Sequence, residues 1–411
     1  MLLVLAPFAT VFSLALLMSV AASPVYLAVD TPTSAGPDGQ VDAALVERDL
    51  KSTLQKLDGI ILSKTDAVEQ RMAKKMKKSP ATIALRGPTH AVALSIGTLA
   101  QKLPLLVDTG SSDLWFFGGF DHSRSISANN TAEDIKLTYV TEAVTGTLAS
   151  DTVSIGGLSV KKQYFGVVAG EGNDEMSGIL GLSFPSLAKI NQPTFFSNLL
   201  SSGQVTSPSF GLYLSRDMSA SGELTLGGST NNHCTGPKTA VPVVEGLGRW
   251  TLRVNDYAVD GKTVLSLPTF AFIDSGSTTS YIPKAAAAAI YAQIPGAYLD
   301  TSEEARTTIS LNGVPYTLDR YVYPCNATAR PGYVFAGGEE RTFDVNPQDM
   351  SLAAIDATKT SCAGTIIGVD VNLGGATVGI LGIDFLKSWY SVFNFGDETT
   401  KPTITFAASK A

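Results

Sequence analysis

The sequence predicts a mostly β, bilobal protein with a central cleft between two related lobes, and three observations carry that expectation. Two segments 166 residues apart repeat one pattern, Leu105-Leu106-Val107-Asp108-Thr109-Gly110-Ser111 and Phe272-Ile273-Asp274-Ser275-Gly276-Ser277. From Thr89 onward the chain runs in short alternating apolar segments broken by Gly, Pro, Asn and Asp, the pattern of half-buried strands joined by turns. At 411 residues it is also longer than one core usually fills, and its 38 Gly, 18 Phe and 13 Tyr with only 16% charged residues suit a strand-rich, turn-rich chain.

Residues 1–23 open with Met1-Leu2-Leu3-Val4-Leu5, stay apolar to Ala22 and end in the small residues Ala21-Ala22-Ser23. They read as a cleaved secretory signal that lacks a basic start. The length would also serve a membrane anchor, but nothing else in the sequence spans a membrane and Ala407-Ala408-Ser409-Lys410-Ala411 offers no apolar tail for a lipid, so stable membrane association is not expected. Residues 24–85 read as a propeptide. They contain a helix-like stretch from Val41 to Lys78 with the basic cluster Arg71, Lys74, Lys75, Lys77 and Lys78, which would otherwise be a solvated face. Up to Lys78 there are nine Lys and Arg against eight Asp and Glu; from Ser79 onward there are 21 against 29. A basic helix can lie across an acidic surface near neutral pH and release it as carboxylates protonate. Lys77-Lys78 is a dibasic processing site on this reading, starting the mature chain near Ser79.

The remainder divides into an N-terminal lobe over 86–242 and a C-terminal lobe over 243–411, with the boundary near Pro242 to Gly248. Strand patterns include Val92-Ala93-Leu94-Ser95-Ile96 and Leu148 to Ile155, the latter ending in a Gly156-Gly157 turn. Helical signals are few: Pro193 to Leu200, and the Ala-rich Pro283 to Ala292 with Pro at its start. Each Asp segment is followed by an apolar-Gly strand, Gly178-Ile179-Leu180-Gly181 after the first and Gly379-Ile380-Leu381-Gly382 after the second.

An Asp at the end of an apolar run is costly unless its charge is satisfied, and the Thr or Ser and the Gly that follow supply hydroxyl and backbone donors on a tight turn. Two such loops face to face make a carboxylate pair. Carboxylates a few ångströms apart cannot both ionise, so they share a proton, leaving one base and one acid around a single water. These residues, with Ser112-Asp113-Leu114-Trp115 after the first loop, Thr278-Thr279 after the second, and Gly222-Glu223-Leu224-Thr225-Leu226-Gly227-Gly228 between them, resemble the pepsin-like aspartic peptidases. The resemblance runs from about residue 85 to the end of the sequence.

That resemblance implies the all-β, bilobal pepsin-like acid protease fold, two related β-barrel-like lobes with a central cleft, with Asp108 and Asp274 as the catalytic dyad. It implies that Ser111 and Ser277 hydrogen-bond the outer oxygens of their aspartates, and that Thr109 and Ser275 link the two loops. Tyr139, in Leu137-Thr138-Tyr139-Val140-Thr141, matches the flap tyrosine, with Trp115 as the partner of its hydroxyl. Met176, Ile179 and Tyr139 would line an apolar pocket. Gly110, Gly276 and Thr278 would hydrogen-bond the substrate backbone, and Thr141 is a further substrate-binding position. Cys325 and Cys362, 37 residues apart where the family keeps a bridge, would form a disulfide worth about 2–4 kcal/mol, leaving Cys234 as an inert thiol. The sequons at Asn129 and Asn326 fit a secreted glycoprotein.

The flap also departs from the family: two usual glycines are Val140 and Glu142, which stiffen the hairpin tip and place a charge beside the cleft. Ile383 stands where an Asp commonly follows the second Ile-Leu-Gly, with Asp384 one place later, and Leu99 replaces a Pro.

Other chemistries fit poorly. There are only three His, none in His-x-x-x-His spacing, and Cys234 has no ligand partner nearby, so no metal or cofactor is expected. Neither Ser111 nor Ser277 sits in a Gly-x-Ser-x-Gly elbow, and no basic stripe suits nucleic acid. The expectation is therefore a secreted, monomeric, pepstatin-sensitive aspartic endopeptidase, made as a zymogen that its own propeptide restrains, acting on polypeptides at acid pH and delivered outside the cell or to a vacuole. The alternative is a catalytically weak relative that binds peptides, for which Val140 and Glu142 are the only pointers.

Overall fold

Strand burial follows the alternation of the sequence until the chain nears the aspartates, where both faces become buried. Ala91–Ile96 shields alternate residues, whereas in Gln101–Asp108 the last four positions are all inside. The computed structural model describes residues 80–85, 90–118, 120–139, 142–171, 177–217, 220–302, 305, 308–311, 314–373 and 375–410. The expected signal, the helix-like stretch from Val41 and Lys77-Lys78 lie outside these residues.

The first lobe is a seven-stranded sheet in the spatial order Ala91–Ile96, Gln101–Asp108, Gly178–Gly181, Leu114–Gly118, Leu158–Glu171, Glu142–Ile155 and Asn129–Tyr139. Ala91–Ile96 also pairs with Glu142–Ile155 through Ser95 opposite Ser154, which closes the sheet on itself. Gly156 and Gly157 take left-handed φ values of 54° and 82°, which make the tight turn into Leu158–Glu171.

The second lobe carries an eight-stranded sheet. Its main path runs Thr342–Asp344, Pro331–Phe335, Thr251–Val259, Lys262–Ile273, Ala376–Leu381, Ser280–Ile282 and Ile366–Gly368, with Val371–Leu373 beside Ala376–Leu381. A four-stranded sheet packs with it, and there Cys325 and Cys362 are bridged with a Cα–Cα distance of 5.0 Å. The bridge joins the end of Tyr321–Pro324 to its neighbour Ser361–Gly364, while Cys234 is free. The two helices foreseen from sequence occupy Phe195–Ser201, capped by Thr194 accepting from Ser197 N, and Lys284–Tyr291 after Pro283.

A third layer belongs to neither lobe alone. Six antiparallel strands lie in the order Ala81–Leu85, Gly222–Leu226, Ser209–Tyr213, Trp389–Asn394, Thr403–Ser409 and Cys234–Pro242. Ala81–Leu85, at the far end of the segment read as propeptide, is thus an edge strand of this sheet. Above it Phe210 stacks on Phe393 at 4.8 Å, and Phe395 packs against Phe196 at 5.2 Å and Trp250 at 4.7 Å. Such ring pairs each add about 0.5–1.5 kcal/mol beyond area burial. Trp250 Nε1 donates to the Leu182 carbonyl at 3.0 Å, so this aromatic floor is tied to the strand end beside the first Asp loop.

Candidate active site

Each Asp loop is held from below by its apolar-Gly strand. Gly178–Gly181 runs parallel to Gln101–Asp108 with Gly181 opposite Asp108, and Ala376–Leu381 runs parallel to Lys262–Ile273 with Leu381 opposite Ile273. Leu182 N donates to the Asp108 carbonyl at 2.8 Å, and Asp274 N donates to the Leu381 carbonyl at 3.0 Å. The glycines closing these strands have no alternative: a Cβ on Gly181 would overlap the Ser112 and Asp113 backbone, and one on Gly382 would overlap the Ser277 and Thr279 carbonyls.

The loops are locked to each other by four crossed bonds. Thr109 Oγ1 donates to the Ile273 carbonyl at 2.8 Å and accepts from Ser275 N at 2.9 Å. Reciprocally, Ser275 Oγ donates to the Val107 carbonyl at 2.7 Å and accepts from Thr109 N at 3.0 Å. Each hydroxyl therefore spends its proton and a lone pair on the opposite chain, which satisfies polar atoms that would otherwise be buried unpaired.

This clamp brings the carboxylates together. Asp108 and Asp274 are 0% and 2% exposed. The α-carbon of Gly110 lies so near the Asp274 carboxylate that an added Cβ would overlap all three of its terminal atoms. Gly110 N donates to Asp108 Oδ1 at 2.8 Å, and Gly276 N donates to Asp274 Oδ1 at 2.8 Å. Ser111 Oγ donates to Asp108 Oδ2 at 2.5 Å. In the second loop Ser277 Oγ donates to the Thr279 carbonyl at 2.9 Å.

Around the loops, Thr278 is buried and Gly276 is half-buried. Ile179 is enclosed in a small cluster with Leu106, Trp115, Phe117 and Ile135, so its side chain is interior rather than an open wall. Trp115 is buried edge-on to Phe117 at 5.3 Å. The expected flap is an antiparallel hairpin paired as far as Tyr139 opposite Glu142. The Tyr139 side chain, Val140, Thr141 and Met176 fall outside what is described. Asn129 and Asn326 are both exposed.

Sequence reasoning misses one residue here. Arg249 is 5% exposed, and its Nη1 donates to the Gly110 carbonyl at 2.9 Å. The signal was present as a lone cation in Leu247-Gly248-Arg249-Trp250-Thr251-Leu252, a run otherwise free of charge at the lobe boundary.

Two apolar-Gly strands, two clamped Asp-Thr/Ser-Gly loops and two adjoining buried carboxylates define an aspartic peptidase site. The family model described as eukaryotic aspartyl protease matches residues 89–408. The chain is 28% identical over 367 residues to major aspartyl peptidase 1 of Cryptococcus neoformans var. grubii, an alignment covering 80% of this chain and 72% of that relative. It is 31% identical over 305 residues to an aspartic protease of Phaffia rhodozyma, covering 71% and 70%. Against pepsin A of Sus scrofa it is 28% identical over 323 residues, covering 73% and 77%. This chain belongs to the eukaryotic aspartyl protease family. It is a pepsin-like aspartic endopeptidase, a hydrolase whose substrates are polypeptides.

Proposed function

We propose that the protein is made as a zymogen, secreted, and active as a monomer at acid pH, cleaving peptide bonds with a water activated between Asp108 and Asp274. The observation that carries this reading is the crossed Thr109–Ser275 clamp with Gly110 against the Asp274 carboxylate, which holds the two Asp loops together around two buried carboxyls. Such a pair holds one proton across an acid range bounded by two macroscopic pKa values. The ionised member takes a proton from the water as it attacks the scissile carbonyl, and the protonated member donates to the developing oxyanion. The donors on Asp108, from Gly110 N and Ser111 Oγ, favour its charged form, and Gly276 N does the same for Asp274.

The zymogen reading rests on the basic balance before Ser79 against the acidic balance after it, and on the position of Ala81–Leu85 at the edge of the shared sheet, which fixes the chain just past Lys77-Lys78. The hairpin ending at Tyr139 opposite Glu142 is the candidate flap, with Tyr139 and Trp115 as its capping pair and Thr141, Met176, Gly276 and Thr278 as substrate contacts. Acid treatment of the full-length protein, followed by assay on denatured globin with and without pepstatin, tests the whole reading. Pepstatin-sensitive cleavage in acid that is absent at neutral pH is expected. Tight pepstatin binding with no turnover at any pH would instead make this a peptide-binding protein.

A further inference from the structure

Arg249 is a buried cation at the centre of the molecule whose presence the reaction above does not require. Burial lowers its pKa to about 10 despite the opposing influence of Asp274 and then Asp108, so it stays protonated throughout the acid and neutral range. The charged groups acting on it are those two carboxylates. From the other elements around it come the Gly110 carbonyl of the first loop and the ring of Phe272, whose centroid is 5.8 Å from the guanidinium carbon. Its Nε has no hydrogen-bond partner among the described residues, and neither does the hydroxyl of Thr251 two places along. A guanidinium left partly unsatisfied inside a protein is expensive, and an Arg at such a place is a net loss to stability unless it does something else.

Its geometry says what that is. The Gly110 carbonyl belongs to the peptide joining Gly110 to Ser111. The Gly110 N–H and the Ser111 hydroxyl flank that peptide, and both hold Asp108; the Gly110 α-carbon abuts Asp274. Fixing that one peptide fixes the donors to one carboxylate and the spacing to the other. The charge does a second thing, since a neighbouring cation favours the ionised form at each deprotonation of a carboxyl pair. We propose that Arg249 is a positioning residue that sets the first Asp loop through the Gly110 carbonyl and places the one-proton state of the Asp108–Asp274 pair at lower pH than the loops alone would. This rests on the peptidase reading for its consequence in turnover, but not for its effect on the carboxyls.

The test compares wild type with Arg249→Gln, Arg249→Met and Arg249→Lys in the processed protein. The pH profile of kcat/KM and the titration of 13C-labelled aspartate carboxyls by NMR are followed together, with Asp108 and Asp274 assigned from their Asn variants. Removing the charge with Gln is expected to move both limbs of the profile, and both steps of the pair's titration, upward by about one pH unit. Met keeps the packing of the stem and serves if the Gln variant does not fold. Lys keeps the charge but loses the planar fork, so its limbs should stay at the wild-type pH while kcat falls. A Gln or Met variant whose activity drops with both limbs and both titration steps unmoved would show a packing residue only and overturn the proposal. So would a Lys variant with limbs displaced as far as those of the neutral variants. Should wild type prove inactive at every pH, the peptidase mechanism fails while the carboxyl titration still decides the role of Arg249.

Discussion

At the residue scale, the site is built from atoms that have nowhere else to go. Asp108 and Asp274 terminate strands buried on both faces, and the turn after each must bring donors back to the carboxylate it has just buried. Asp108→Asn and Asp274→Asn are each expected to lower kcat by at least about 100-fold with little change in Tm, because an amide keeps the shape and removes the shared proton. Retention of more than a few per cent of turnover in either folded variant would sink the shared-proton mechanism. Gly110→Ala is expected to be inactive for a different reason: its methyl group would overlap the Asp274 carboxylate and push the loops apart at a cost of about 1–3 kcal/mol. Activity and urea unfolding of that variant measure the two effects separately. The aspartates and their hydroxyl partners are legible in the sequence because a charge at the end of an apolar run demands an explanation. Arg249 is not, because its partners lie 139 residues away at Gly110 and in a second loop, and only the closed fold brings them to it.

At the element scale, each lobe threads a Gly-ended strand beneath its Asp loop, and the spacing tolerates no side chain. Gly382→Ala would set a Cβ against the Ser277 and Thr279 carbonyls, so lower Tm together with lower kcat/KM is expected, the second loop being displaced as the strand shifts. An unchanged kcat/KM would mean that the loop holds its shape without this strand. The bridge between Cys325 and Cys362 acts elsewhere, on two neighbouring strands of a peripheral sheet. Replacing both by Ser should cost about 2–4 kcal/mol in chemical unfolding and leave kcat unaltered, since the bridged strands carry neither aspartate. The strands and helices themselves follow the apolar alternation and the prolines closely. What local pattern does not disclose is which strands neighbour which: Ala81–Leu85 reads as the tail of a propeptide and is a sheet edge, because its partner Gly222–Leu226 lies more than a hundred residues on.

At the scale of the whole molecule, acid tolerance is written into the second lobe. Burial pushes Asp384 up to about 7 against the lowering effects of Ser280, the Phe385 N–H and Thr365, and pushes Asp344 up to about 6. Asp349 is raised by burial too, despite Arg216. Between about pH 4 and pH 7 the folded protein therefore holds protons that the unfolded chain has released. These groups destabilise the fold least below pH 4, their penalty grows as pH rises towards 7, and it is constant above that. Thermal unfolding should accordingly show a higher Tm near pH 4 than at pH 7.5, and Asp384→Asn should narrow that difference. A gap unchanged in this variant would place the neutral-pH loss in other groups. The Ile383-Asp384 order visible in the sequence gives the shifted acid; its enclosure beside Ser280 is a property of the fold.

The shared six-stranded sheet also bears on how the chain emerges from the ribosome. Ser209–Tyr213, completed about halfway through synthesis, has as its sheet neighbour Trp389–Asn394, which is among the last of the described strands to be made. Until then the N-terminal half presents an open row of backbone donors and acceptors above a cluster of unfilled aromatic sockets around Phe210, a surface that invites pairing with another nascent chain. Vectorial synthesis can fold the first barrel but cannot finish its base. A helper that shields this edge during translation, or a slow approach to the final strands once the chain is released, is the biosynthetic counterpart of a sheet built from both ends of one sequence.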